Sequence, residues 1–320
     1  MYFPYFRGRQ YELLALKELV KGGTLSKSII PVIEPVKLVR KDEKLVNPYK
    51  MIPTFNIMAQ AFIEEKHQIA FIYNPSVGDL VTIPEAISSL YPYLSANEII
   101  PAIIINNNTS NCLAKLEAKS VSKTEILAVL NNRDFLEVYS NEFGSVSQKY
   151  TLFPDERQIK RAVKQNKVMF EDKFNKQQKN ADYSGDEFFS DDHLFFADEG
   201  YVGFGDYSII GDEYIEGGWA PRAVVIHIAY FADDNTLRVY HFISDSNEDT
   251  SDVAGKFNEA VTKLADWYNA GQQRQLTSAL STLIEYSATG YYPGLPTIKK
   301  LSIMHHLELM GKYLDGGLPR

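Results

Sequence analysis

Six short apolar runs recur through the first 170 residues, and most end on polar side chains. Ile29–Ile33 closes on Glu34, Ile69–Tyr73 on Asn74, and Ile99–Ile105 on Asn106-Asn107-Asn108. Phe135–Tyr139, Tyr150–Phe153 and Val168–Phe170 follow, the last closing on Glu171-Asp172-Lys173. Helical patterns separate most of them, over Phe55–Glu65, Ile83–Tyr91, Cys112–Leu130 and Asp155–Lys164. Near-continuous apolar strands alternating with helices are the mark of a parallel sheet covered on its faces. Gly203–Ile210 and Ala223–Phe231 supply candidates for strands seven and eight. The count favours an α/β fold of the TIM-like (β/α) barrel type over a doubly wound sheet.

The rhythm then changes. Ala232-Asp233-Asp234-Asn235 marks a turn, and Leu237–Ile243 reads as a strand pairing back in a β-hairpin. Phe257, Val261, Leu264 and Tyr268 share one helix face, and Leu276, Leu280, Leu283 and Ile284 repeat the pattern. A last helix is expected after Pro296, capped by Thr297, running to about Leu314. The expected organisation is a barrel over 1–250 with an acidic insertion at 180–218. A helical C-terminal extension over 251–320 is expected to pack on it.

Charge sharpens this picture. The net charge of −8 argues against nucleic-acid binding by the whole surface. Residues 1–50 nevertheless carry ten Lys/Arg against five acids, and 153–179 carry eight against four. Asp182–Glu216 holds eleven acids and no Lys or Arg, as a solvated loop, a lid, a cation site or a docking face for a basic partner would. A single cysteine, Cys112, excludes an intrachain disulfide and a Cys-rich zinc site and suits a reducing compartment. No run reaches a membrane span, and the opening residues lack the apolar core of a signal peptide, so a cytoplasmic location is expected.

In α/β barrels the working side chains stand at the carboxyl ends of strands. That rule nominates Glu34, Lys37, Asn74, Asn106, Glu137, Glu171, Lys173, Asp206 and His227. Glu34, Glu137, Glu171 and Asp206, with His227, form the set expected for proton transfer or for a divalent cation. Asn74, Asn106 and Tyr207 are candidate ligand contacts. Arg7 and Arg9, among Tyr2, Phe3, Tyr5 and Phe6, either stack bases and hold phosphate or belong to a strand-like lead-in that closes the bottom of the barrel, the reading favoured here. His241 and Asp245 lie where they could approach His227. His305-His306 are adjacent on a helix and cannot face the same way. Gly203-x-Gly205 lacks a third glycine, because Ser208 stands there, and reads as a strand rather than a dinucleotide loop.

The opening Met1–Leu16, the segment Pro31–Val36, and Gly203–Gly211 followed by Ala223–His227 resemble the bacterial and phage "beta protein" family over most of the chain. That family has no established activity to transfer. Its members resembling this chain tend to be encoded beside a protein with a restriction-endonuclease-like fold. The resemblance therefore implies one component of a two-protein antiphage-defence or nucleic-acid-processing module, with a nuclease-like partner. Nucleic acid would then be met through that partner or through local basic patches, and no membrane is involved. The alternative is a stand-alone carboxylate- or metal-assisted hydrolase of a phosphodiester or nucleotide.

Overall fold

The computed structural model describes residues 1–40, 48–217, 221–271 and 275–316. Position 218, the end of the expected acidic insertion, lies outside the described residues. The chain separates into two compact units. The first holds Met1–Gly23, Lys27–Asp172 and Phe195–Tyr207. The second holds Thr24–Ser26, Lys173–Leu194 and Ser208–Arg320.

In chain order the strands are β1 (Tyr5–Phe6), β2 (Val32–Ile33), β3 (Leu38–Arg40), β4 (Tyr49–Met51), β5 (Ile69–Ile72), β6 (Ile99–Ile104), β7 (Leu127–Val129), β8 (Tyr150–Phe153), β9 (Lys167–Phe170), β10 (Asp186–Ser190), β11 (Gly203–Gly205), β12 (Val225–Phe231) and β13 (Leu237–Ile243). Eight of them form the parallel sheet β1-β2-β5-β6-β7-β8-β9-β11 in the first unit. The ends of that sheet meet. Phe3 N donates to Phe204 O and Tyr5 N to Asp206 O, both at 2.8 Å, and Phe204 N donates to Met1 O at 3.0 Å. The unit is thus the expected α/β barrel.

Two glycines permit this closure. A Cβ on Gly203 would stand 2.6 Å from Met1 O, and one on Gly205 would stand 2.4 Å from Phe3 O. The Gly-x-Gly pattern therefore serves backbone approach between β11 and the opening segment.

Alternation along the strands fills the interior. Phe3, Tyr5, Val32, Ala70, Ile72, Ile100, Ala102, Leu127, Val129, Leu152, Val168, Phe170 and Tyr207 form one buried cluster. The intervening residues are also buried, which explains the continuous apolar runs. Phe71, for example, points the other way and packs on Phe55 of the helix Pro53–Glu64, ring centroids 4.9 Å apart.

Three strand expectations change. The opening segment is a full barrel strand, β1. Phe135–Tyr139 is helical (Arg133–Phe135 and Leu136–Phe143), and the strand is the neighbouring Leu127–Val129. Short apolar runs do not separate helix from strand. Here Tyr139 and Phe143 bury one face at i, i+4, and Asn132 Oδ1 caps the turn by accepting from Asp134 N at 2.9 Å. Finally, the run Ala223–Phe231 is not a barrel strand. Five residues join β12 to β13, so the pair is antiparallel, with His227 opposite His241.

The second unit carries the sheet β10-β13-β12 and the helices Val253–Asn269, Ser278–Thr289 and Leu295–Leu314. Trp267 packs against Tyr230, Tyr240 and Phe242. The last helix begins earlier than expected. Gly294 takes the cap position and Pro296 occupies the first turn, where its missing N–H costs nothing. Among the described residues, no helix is long and apolar enough to cross a membrane.

Candidate functional site: the mouth of the barrel

Residues two apart on a strand share a face. Arg7 therefore continues the inward row of Phe3 and Tyr5, Glu34 continues Ile30 and Val32, Asn74 continues Ala70 and Ile72, and Tyr207 ends the row of Gly203 and Gly205. These rows bring Arg7, Glu34 and Tyr207 together at the carboxyl end of the barrel.

Glu34 is fully buried. Oε2 accepts from Tyr5 Oη at 2.7 Å and from an Arg7 guanidinium nitrogen. Oε1 accepts from Ser76 N at 2.5 Å and Ser76 Oγ at 2.9 Å. Carboxylate hydrogen bonds of this charged kind are the stronger class. The Arg7 guanidinium carbon lies 5.4 Å from the Tyr5 ring centre and 5.5 Å from that of Tyr207, within cation–π range. The two rings are 5.1 Å apart and both pack on Phe170. Burial works against the Arg7 charge, but Glu34, Tyr5 and Tyr207 outweigh it and hold the guanidinium above its ordinary pKa. Burial, then Glu34, pushes the Tyr5 hydroxyl well above its ordinary value, so it remains a donor.

Asn74 bridges two strands. Its Nδ2 donates to Ile104 O at 2.7 Å and its Oδ1 accepts from Ile104 N at 2.8 Å, which extends the β5–β6 ladder by one side chain. Asn106 Oδ1 accepts from Asn108 N, and its own N–H donates to Thr109 Oγ1, both at 2.8 Å, at the start of the helix Thr109–Glu117. Both asparagines line a cavity of about 240 Å³ with Tyr73, Leu80, Tyr91 and Cys112. Burial lifts the Cys112 thiol to about 12, so it is not a thiolate at neutral pH.

Other candidates go elsewhere. Asp206 is buried, but it accepts from Tyr2 Oη at 2.7 Å, and Tyr2 belongs to the opposite, outward row, stacked on Phe204 at 5.1 Å. Glu171 Oε1 accepts from Asp155 N at 3.1 Å. Lys37 lies 3.7 Å from Asp79. Arg9 stands at the start of the helix Gln10–Lys21, its N–H donating to Glu12 Oε2 at 3.1 Å. Glu137 is exposed on its helix. Glu34, Glu137, Glu171 and Asp206 thus do not converge. Among the described residues, no group of three His, Cys, Asp or Glu is placed to hold a metal ion.

Lys173 and His227 belong to the second unit. Lys173 Nζ lies 3.0 Å from an Asp192 carboxylate oxygen. His227 Nδ1 is 2.7 Å from His241 Nδ1. Asp245 instead pairs with Lys263 at 2.6 Å. His305 is a satisfied core histidine: its Nε2 is 2.7 Å from Ala229 O, to which it donates, and its Nδ1 is 2.7 Å from Thr277 Oγ1.

Tyr5 and Ser76 were absent from the sequence-based set. Tyr5 had a signal, since it lies two residues before Arg7 on the same strand row. Ser76 had none, because it lies beyond the strand in a loop. Compared with family models, curated proteins and solved structures, the chain matches none of them.

Proposed function

We propose that this chain is the ligand-recognising member of a two-protein module. In this reading its barrel mouth binds a nucleotide or nucleic-acid end, and a restriction-endonuclease-like partner acts on it. The observation that carries the ligand part is the Arg7 guanidinium, packed by the Tyr5 and Tyr207 rings and anchored by Glu34. A guanidinium presents a planar fork of donors suited to phosphate oxygens, and flanking aromatic faces suit a base. A buried ion pair is a poor device for stability alone. Its position at the end of barrel strands, where ligands bind in this architecture, favours a binding role. The partner part rests on the family resemblance.

The hydrolase alternative has less behind it. Of its carboxylates only Glu34 stands at the mouth, and four donors occupy it. Co-expression with the neighbouring nuclease-like protein, followed by native mass spectrometry, tests the module. A stable complex is expected. Two separate species at micromolar concentration would remove the partner from the proposal.

A further inference from the structure

The second unit holds a cavity of about 250 Å³ that the barrel-mouth reading does not use. Its lining includes Phe174, Asn180, Tyr183, His227, Ile298 and Lys299. Pockets that take drug-sized ligands run to ~300–1,000 Å³, so this one suits a single substituted ring.

One wall is built around paired histidines. His227 and His241 are directly opposed on β12 and β13. The Tyr183 ring lies 4.7 Å from each, and Phe174 lies 5.1 Å from His227. Asn180 ties the 174–183 segment down by donating to Ala223 O at 2.8 Å. Tyr183 Oη accepts from Gln177 N at 3.2 Å.

The protons on this pair are dictated by a carboxylate. His241 Nε2 lies 3.2 Å from Glu187 Oε1. A lone pair facing a carboxylate would be repelled, so His241 carries its proton on Nε2. Its Nδ1 is then an acceptor in the neutral ring. The 2.7 Å Nδ1–Nδ1 contact therefore takes its proton from His227. That leaves the Nε2 of His227 as a bare acceptor. It makes no hydrogen bond within the described protein, on a half-buried side chain that lines the cavity. Burial, His241 and Lys299 together disfavour a charge on His227 and pull it to about 3, so the acceptor persists at neutral pH. The same Lys299 supplies positive potential at this wall.

We infer that this cavity is a second binding site, for a small aromatic acid that donates an O–H or N–H to His227 Nε2 and directs its anionic group to Lys299. The apolar walls take the ring. Glu187 acts through His241 and does not touch the ligand, so it is a positioning residue.

The test uses the full chain with 3- and 4-hydroxybenzoate and their methoxy counterparts, which cannot donate. Calorimetric titration is expected to show at least one hydroxybenzoate binding about tenfold more tightly than its methoxy analogue, the ~1.4 kcal/mol of one good hydrogen bond. His227→Phe is expected to abolish that preference and His227→Gln, which keeps an acceptor, to retain part of it. Long-range proton–nitrogen spectra should show His227 protonated on Nδ1 alone in wild type, and a tautomer mixture in Glu187→Ala. No saturable binding by either hydroxybenzoate would overturn the inference. So would a hydroxyl preference that survives in His227→Phe, or an Nε2-protonated His227. None of these residues belongs to the barrel mouth, so failure here and failure there are separate results.

Discussion

Glu34 and His227 stand in similar sequence settings, a polar residue at the end or the middle of a strongly apolar run. Their surroundings answer that polarity in opposite ways. Glu34 is met by four donor groups, which Tyr5, Arg7 and Ser76 supply from two separate stretches of chain. His227 gives up its charge and needs one neighbour, the histidine across a hairpin. A buried carboxylate is costly without several donors, so Glu34 depends on closure of the barrel. A neutral imidazole asks only for its tautomer to be fixed, and a two-stranded pairing achieves that. The difference predicts which site tolerates change.

The largest effect should come from Glu34→Leu. It strands the Arg7 charge and should cost about 3–5 kcal/mol in urea unfolding, as for other broken buried pairs. Arg7→Met added to Glu34→Leu should recover much of that loss, and a purely additive double mutant would show the two are not coupled. Gly205→Ala comes next. The new methyl meets Phe3 O, a backbone atom, so about 1–3 kcal/mol of overpacking strain is expected as a lowered Tm. His305→Phe leaves Ala229 O and Thr277 Oγ1 without their partner, for about 1–3 kcal/mol in the same assay.

The smallest effect is a pH slope. Burial pulls His306 to about 3 and His305 to about 4, as it does His227. The unfolded chain, with histidines near ~6.5, then binds more protons than the folded one below that pH. Stability from these groups is full above ~6.5 and is lost as pH falls towards their folded values. Chemical denaturation between about pH 5 and 6.5 should show stability dropping with acid, with a shallower slope in His306→Gln. An unchanged slope would mean that His306 is not held neutral.

Much of this was legible in the sequence. The apolar runs predicted parallel barrel strands because residues facing inward and outward are both buried. Glu34 and Asn74 were legible because barrel geometry sends strand ends to one rim, whereas Arg7 stood out only for its aromatic neighbours in an opening segment not expected to be a barrel strand. Asp206 and Glu171 misled because the rule does not say which face a strand-end side chain takes. One residue of register separates Asp206, bound to Tyr2 on the outer row, from Tyr207 on the inner. Glu137 misled because a five-residue apolar run carries no decisive period. Ser76 and Glu187 were invisible because their roles arise only from tertiary contact.

The most direct test of the barrel-mouth claim is calorimetric titration of the full chain with adenosine monophosphate, in wild type and Arg7→Lys. Lysine preserves the charge opposite Glu34 but loses the planar fork and its packing between tyrosines. Saturable binding in wild type, weakened at least about tenfold (~1.4 kcal/mol) in Arg7→Lys, is expected. No binding by the wild type, or equal affinity in both proteins, would contradict the assignment of the barrel mouth as the recognition site.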